Sequence, residues 1–266
     1  MKNWLKPAVL TIVCLLLLSL WALANEDALK ESEKSLFSRD LIIPSPADLF
    51  VALEKMGEVD WNKAASYNTN SDYNNDYLRA LNLGTRGADG FMAIHAEDKA
   101  LLADMIRTIV KLAEELGASN TILDKRSRIE ALARNEKWQE LRMELDKLQS
   151  EVKLELIRQG DVDIAILLSA GGWINGLRAT TKLLSSRYNR DDSAILFQPT
   201  LIYYFEAKFN ELDKKALDQP VVRNIRDKIP EIKRLIDVGY DSPVPEENIK
   251  KLYTISSELV QAIEKG

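Results

Sequence analysis

Apolar residues recur at intervals of three and four along almost the whole chain, which is the spacing of one face of an α-helix. The clearest seam lies within residues 137–159, where intervals of 3, 4, 3, 4 and 4 separate successive apolar side chains. No segment shows sustained apolar-polar alternation between hairpin turns, so the pattern predicts no sheet. We therefore predict an all-α fold, a multi-helix bundle of about eight helices that forms a single domain over residues 44–266. The seam consists of Trp138, Leu141, Leu145, Leu148, Val152 and Leu156.

Capping residues and prolines indicate where several helices begin, end or bend. Ser45 is a suitable N-cap, Pro46 suits the first helical position, and Gly57 suits a helix end. Pro199 and Pro230 each predict a kink or a break, because proline removes a helical hydrogen bond and clashes with the preceding turn. The other predicted helices cover about residues 96–116, 119–134, 161–187 and 246–264.

The stretch LGTRGADGFMAIHAED, residues 83–98, contains three glycines and the only histidine of the chain. It has neither the G-x-G-x-x-G spacing of dinucleotide-binding turns nor the G-x-x-x-x-G-K-[ST] spacing of phosphate loops. On a helical projection at about 100° per residue, Gly84 and Gly87 fall on the apolar face and Gly90 falls at its edge. Because glycine costs a helix roughly 1 kcal/mol relative to alanine, glycines on a buried face indicate close approach of a neighbouring helix.

The helix predicted at residues 161–187 offers a matching surface. Small side chains form most of one stripe along it, and its apolar residues cover most of its circumference, which is typical of a central helix. We predict that these two glycine-bearing helices pack closely at the centre of the bundle. The small residues assigned to this packing are Gly84, Gly87, Ala88, Ser169, Gly172 and Gly176.

Polar residues in or beside these apolar faces are the candidates for a ligand or partner site. Arg86 and Asp89 lie three residues apart and can pair along one helix, so an ordinary ion pair is the alternative to an anion-binding cluster. If another helix covers them, the pair becomes a buried polar feature that can meet Asn175 or Arg178. A ligand site requires that all the candidates converge on one cavity. The candidates are Arg86, Asp89, His95, Asn175 and Arg178.

His95 lies in the middle of the apolar arc, with Glu97 and Asp98 just beyond it. A metal site would need two or three further ligands, all of them carboxylates, because the chain has no second histidine and its one cysteine lies near the N-terminus. A hydrogen-bonded structural histidine is the simpler interpretation. The hydrolase motif G-x-S-x-G and the zinc-protease motif H-E-x-x-H do not occur, so we assign no catalytic, cofactor-binding or metal-binding residue.

The polar segment SYNTNSDYNNDY was compared with a calcium-binding loop. Asn and Asp stand at alternate positions over residues 68–72, but Tyr73 occupies the position that requires glycine and Arg79 the position that requires glutamate. We interpret the segment as a turn in which Asp72 or Asn75 caps the next helix.

An aromatic segment, TLIYYFEAKF, follows Pro199. The helical spacing of its rings suits core packing, with one or two tyrosines at the rim. A binding groove lined by these rings is the alternative. The rings belong to Tyr203, Tyr204, Phe205 and Phe209.

The N-terminus has the three parts of a secretory signal. Lys2 and Lys6 precede an apolar run that ends in the tripeptide Ala-Leu-Ala. We predict that residues 1–24 form a signal peptide cleaved after Ala24, that residues 25–43 form a charged flexible leader, and that the protein is periplasmic or secreted. An uncleaved anchor is the alternative, and it would be the only contact with a membrane.

Charge and cysteine content exclude several classes of function. Removal of the signal would leave 242 residues with 34 basic and 41 acidic side chains, a formal charge of −7. The basic residues are scattered among acidic ones and do not gather on one face, so we expect no nucleic-acid partner. Cys14 is the only cysteine and lies inside the signal, so the mature chain would have no disulfide, thiolate metal site or cysteine nucleophile.

These observations favour an exported, non-enzymatic helical protein that binds a protein partner or a small ligand in the cell envelope. The binding surface would be a groove between helices or a charged helical face, and no cofactor is expected. One alternative is a metal-handling protein or hydrolase centred on His95 and nearby carboxylates. Another is a purely structural envelope module.

Overall fold

The computed structural model describes residue 50 and residues 53–54, 59–239 and 242–266. Within these residues the chain forms eight long helices and no strand, so the prediction of an all-α multi-helix bundle is confirmed. The long helices are α1 (Asp76–His95), α2 (Lys99–Glu115), α3 (Ser119–Arg134), α4 (Trp138–Arg158), α5 (Val162–Ser186), α6 (Pro199–Glu211), α7 (Pro220–Ile236) and α8 (Glu246–Lys265). Shorter helical turns are Trp61–Ala64, Lys214–Leu217 and the 3₁₀ turn Asp192–Leu196.

The described residues all belong to one unit of the chain, Pro44–Gly266. The predicted signal peptide (1–24), its cleavage after Ala24 and the leader (25–43) lie outside the described residues. Most of the helix predicted between Ser45 and Gly57 does so too, although its three described residues are helical. None of the described helices combines the length and the apolarity that a membrane span requires.

The glycine-rich stretch is part of a continuous helix, as its apolar projection predicts. Asn75 is the N-cap of α1, and its Oδ1 accepts a hydrogen bond from the backbone nitrogen of Leu78 at 2.9 Å. From there α1 continues through all three glycines to His95. The stretch is therefore a helix rather than a phosphate-binding loop.

Helices α1 and α5 cross with their backbones in contact. Almost the whole of α5 is buried, and its most extensive packing is against α1 and α8. A Cβ atom placed on Gly84 would lie 2.0 Å from the carbonyl oxygen of Leu168 and 2.6 Å from the backbone nitrogen of Gly172. A Cβ atom on Gly171 would lie 2.0 Å from the carbonyl oxygen of Leu81. The close packing of two glycine-bearing helices at the centre is confirmed.

The residues at this contact differ in part from the predicted set. Gly171, which was not in that set, supplies the second close approach, whereas Gly87 faces α4, where Gln149 Nε2 lies 3.6 Å from its Cβ position. Gly87 follows Gly84 by three residues, so its Cβ position is rotated by about 60° around the helix axis and points away from α5. The other predicted small residues, Ala88, Ser169 and Gly176, are buried.

The two prolines have different effects. Pro199 is the first residue of α6, a position at which the missing backbone N–H costs no hydrogen bond. Pro230 lies inside α7, which continues to Ile236 without a break. The prediction of a helix boundary is thus correct at Pro199, and the structure does not split α7 at Pro230.

Candidate functional site

Four of the five candidate polar residues meet where α1 crosses α5. Arg86 Nη2 and Asp89 Oδ2, both on α1, are 3.2 Å apart. On α5, Asn175 Nδ2 donates to Asp89 Oδ1 at 3.0 Å, and Arg178 Nε donates to Asn175 Oδ1 at 2.8 Å. All four side chains are buried. We call this group, with the partners given below, the crossing network.

The segment that precedes α1 is held by the crossing network. Ser66 contacts the Asp89 carboxylate twice, through its backbone nitrogen at 3.1 Å and through its hydroxyl at 2.8 Å. Arg178 Nη2 donates to the carbonyl oxygen of Ala64 at 2.7 Å. The polar side chains of the crossing thus bind the backbone and side chain of residues 64–66.

Helix α8 supplies the second carboxylate of the crossing network. The Glu264 carboxylate accepts from Arg86 Nη2. It also lies 2.9 Å from the Ser66 hydroxyl, whose single proton is donated either to Glu264 or to Asp89. Arg86 Nη1 also donates to the carbonyl oxygen of Asn68. Sequence reasoning missed Ser66 and Glu264, which are 198 residues apart, because no spacing rule connects residues at that separation.

The crossing network is balanced in charge and satisfied internally. It contains two guanidinium groups and two carboxylates. Burial lowers the pKa of Arg178, and the negative charges of Asp89 and Glu264 oppose that shift. None of the cavities described below is lined by its four candidate residues. This geometry favours the buried ion-pair interpretation over a ligand-binding cluster.

His95 does not join the other four candidates. Its ring stacks on Trp61 with centroids 4.6 Å apart, and the ring of Phe50 meets it edge-on at 6.2 Å. Nδ1 pairs with the carboxylate of Glu54, which also binds Arg142 at 3.1 Å. The His95 side chain is 1% exposed, and its Nε2 has no hydrogen-bond partner in the described part of the chain.

The surroundings of His95 suit a neutral, packed imidazole. Burial lowers its pKa, and the Glu54 carboxylate only partly opposes this effect. Among the described residues, no group of three His, Cys, Asp or Glu side chains is placed to hold a metal ion. Glu97 and Asp98 do not bind His95 in the structure; Asp98 caps α2 instead, accepting from the backbone nitrogen of Leu101 at 2.9 Å.

Neutral burial of His95 makes stability depend on pH in a definite direction. An unfolded histidine titrates near pH 6.5, whereas the folded pKa is lower, so below pH 6.5 the unfolded state binds a proton that the folded state does not. We expect the free energy of unfolding to fall between pH 7.5 and 5.5 by up to about 1.4 kcal/mol more in the wild type than in His95→Gln. Urea unfolding at both pH values measures this; equal losses would contradict neutral burial.

An open groove separates α2 from α3. Its volume is about 600 Å³. We call the apolar lining the floor and the charged lining, with five basic and two acidic side chains, the rim. The floor consists of Leu102, Ala103, Ile106, Val110 and Ala133, and the rim consists of Lys99, Arg107, Lys111, Arg126, Arg134, Glu114 and Glu130.

The positive rim corrects one expectation from the sequence. Basic residues do gather at this groove, because positions four or eight apart on each of two adjacent helices share one face. Glu130 is already paired, with Arg126 at 2.8 Å and Arg134 at 3.9 Å. Lys111 makes no ion pair within the described residues.

A polar recess adjoins the groove on the side of α2. Its volume is about 320 Å³, and it shares Arg107 and Lys111 with the groove. Arg107 pairs there with Asp104. Hydroxyl groups line the remainder of the recess. These belong to Thr69, Ser71 and Thr108.

The aromatic segment of α6 lines none of these cavities. Phe205 and Phe209 are buried, and Phe205 stacks on Trp173 with centroids 4.8 Å apart. Tyr203 is 47% exposed, with Lys233 Nζ 4.0 Å from its ring centroid. This arrangement fits core packing with a tyrosine at the rim.

Two features therefore remain as candidates for function, the crossing network and the groove with its recess. The crossing network is closed by its own partners, whereas the groove presents apolar and cationic groups to solvent. In comparisons with known proteins, no protein-family model, no curated protein and no solved structure matches the chain.

Proposed function

We propose that this chain is a non-enzymatic binding protein that holds a ligand in the groove between α2 and α3. The observation that supports this most directly is the size and lining of the groove. Ligand pockets usually have volumes of roughly 300–1,000 Å³ and a mainly apolar lining with a few polar groups, and the groove of about 600 Å³ fits this description. The burial of apolar surface supplies most of the free energy of such binding.

The place of action that we propose is the cell envelope. The proposal rests on the sequence pattern of the N-terminus, with two lysines, an apolar run and a small-x-small end. An exported binding protein also fits a chain whose only cysteine lies in that segment, because it needs neither a disulfide nor a thiol for ligand binding. Secretion with removal of residues 1–24 is measured by mass spectrometry of the protein from its native host.

A carboxylate introduced into the apolar floor of the groove is expected to weaken binding of an apolar probe. Ile106 lies half-buried in the floor, so Ile106→Glu places a carboxylate where an apolar ligand would lie, at little cost to the fold. We expect at least a tenfold loss of affinity for the neutral dye Nile red, about 1.4 kcal/mol. The measurement is a fluorescence titration.

Met143→Glu is the matched control, since Met143 is 66% exposed on α4 and lies outside the groove. Both variants should retain the wild-type helix signal in circular dichroism. The proposal is wrong if the wild-type protein shows no saturable dye binding, or if Ile106→Glu and Met143→Glu bind the dye equally well.

A further inference from the structure

We infer that the ligand is a single-chain anionic amphiphile, with its acyl chain along the groove and its phosphate-bearing headgroup in the recess at Arg107 and Lys111. This inference rests on the proposed function and adds the chemical class of the ligand. It starts from the continuity of the two cavities. Arg107 and Lys111 line both, so a molecule in the groove can reach the polar groups of the recess.

The recess has the donors that a phosphate monoester or diester requires. Lys111 offers three N–H donors and has no ion pair among the described residues. The Thr69 and Ser71 hydroxyls make no hydrogen bond in the described part of the chain, whereas Thr108 Oγ1 already donates to the carbonyl oxygen of Asp104 at 3.0 Å. A headgroup could thus accept hydrogen bonds from Lys111, Thr69 and Ser71.

Charge complementarity sets the sign of the ligand. The whole chain carries a formal charge of −5, yet five basic and two acidic side chains line the groove. Four of these basic residues have carboxylate partners at or near the rim: Lys99 pairs with Glu136, Arg107 pairs with Asp104, and Arg126 and Arg134 share Glu130. The unpaired Lys111 beside Arg107 is therefore where an anion is attracted most strongly.

The apolar floor makes an acyl chain necessary for binding. The recess is shallow and contains the Asp104 carboxylate, and ion pairs exposed to water contribute little to affinity. A free phosphate would therefore bind weakly. The lining of α2 runs from Lys99 to Lys111, a rise of twelve residue steps or about 18 Å of helix, so an extended chain can bury apolar surface along this length.

The test compares two lysophospholipids with the same fourteen-carbon chain, below their critical micelle concentrations, by displacement of Nile red. Lysophosphatidylglycerol is anionic and lysophosphatidylcholine is zwitterionic. We expect the wild-type protein to bind the anionic lipid at least tenfold more tightly. Lys111→Gln should reduce this preference to less than threefold, with the dye affinity of the variant measured first so that the displacement can be corrected for it. Ile106→Glu binds the dye too weakly for displacement, so it is measured by isothermal titration calorimetry, where neither lipid should bind.

Lys251→Gln is the control for loss of one surface charge, because Lys251 is an exposed lysine of α8 that pairs with Glu247 away from the groove. It should keep the wild-type preference. If Nile red binds in the groove but the two lipids bind equally, or if Lys111→Gln keeps the preference, the headgroup inference is wrong and the proposed function stands. If Nile red itself does not bind, the proposed function fails.

Two further probes distinguish other occupants. Inorganic phosphate at millimolar concentration should displace no dye and should not weaken binding of the anionic lipid. Equal affinity for phosphate and lipid would contradict the inference that the ligand is an amphiphile. An acidic amphipathic peptide of eighteen residues should compete at least tenfold less well than the anionic lipid. Tighter competition by the peptide would assign the groove to a partner helix instead.

Discussion

Gly84→Ala is expected to lower the free energy of unfolding by about 3 kcal/mol or more, whereas Gly87→Ala, on the same helix, is expected to raise it by about 0.5–1 kcal/mol. The new methyl group at Gly84 would lie 2.0 Å from the carbonyl oxygen of Leu168 and 2.6 Å from the backbone nitrogen of Gly172. Both obstacles are backbone atoms, so no side-chain rotation relieves the clash. The helices α1 and α5 must separate, and the contacts along their crossing are lost.

Gly87 differs from Gly84 in what surrounds its Cβ position. The nearest atom is Gln149 Nε2 at 3.6 Å, an ordinary van der Waals distance to the end of a flexible side chain. Gly87 also lines an apolar cavity of about 40 Å³, which a methyl group would partly fill. Alanine is favoured over glycine in a helix by about 1 kcal/mol, and nothing at this position opposes the gain.

Urea unfolding of the two variants measures both effects, and the comparison is internally controlled because the substitution and the helix are the same. Gly171→Ala should behave like Gly84→Ala, since its Cβ would lie 2.0 Å from the carbonyl oxygen of Leu81. A Gly84→Ala variant within 1 kcal/mol of the wild type would show that the two backbones do not touch as described.

Asp89→Ala is expected to lower the free energy of unfolding by about 3–5 kcal/mol, because it leaves buried charge without its partner. Two guanidinium groups would then share one carboxylate, Glu264, and the backbone nitrogen of Ser66 would lose its acceptor. Asn175 would keep only the carbonyl oxygen of Thr85, whereas the Ser66 hydroxyl would keep Glu264. A buried donor without an acceptor destabilises the folded state, because the same group is hydrogen-bonded to water in the unfolded state. Limited proteolysis should also increase within residues 64–68, which the crossing network holds.

Asp104→Ala is the matched control, because Asp104 pairs with Arg107 at the surface and its side chain is 44% exposed. We expect a loss of at most about 1 kcal/mol. The double variant Arg86→Met, Asp89→Leu should lose at least about 1 kcal/mol less than the sum of the two single losses, since each substitution removes the partner of the other. Strict additivity would mean that the ion pair has no energetic role.

The convergence of Arg86, Asp89, Asn175 and Arg178 was accessible from the sequence for a physical reason. Within each helix the two residues are three apart and share a face, and the glycines fix where the two helices approach. Arg86 and Asp89 fall opposite Gly84 on the helical projection, so their meeting with α5 was predicted only on the condition that another helix covers that face. The sequence offered less support to the hypothesis that these residues form a ligand site. The hydrogen bonds and ion pairs within the crossing network argue against that hypothesis.

His95 was named with these residues because it lies in the apolar arc of α1, whereas Arg86 and Asp89 fall on the opposite side of the projection. His95 lies nine residues from Arg86, which is about 13.5 Å along the axis and about 180° around it. It therefore meets Trp61 and Glu54 instead. Periodicity reports the direction of a side chain reliably but not which distant segment covers it.

The groove could not be predicted for a different reason. A helical seam predicts which face of α2 or α3 is buried, but the width of a gap between two helices depends on how their neighbours hold them apart. The rim charges are unremarkable in sequence, since each basic residue stands among acidic ones. Their grouping appears only when the antiparallel pair brings residues 99–111 beside residues 126–134.

The reach of the crossing network along the chain has a consequence for the order of folding. Arg86 and Glu264 are 178 residues apart, and Ser66 and Glu264 are 198 apart, so α8 must be synthesised before the central charges find all their partners. Contacts of such separation form late because of the entropy of closing a long loop. Until then, α1 and α5 can cross through their glycines while Arg86 remains only partly neutralised. We expect the nascent chain to stay loosely packed at its centre until α8 docks and supplies Glu264.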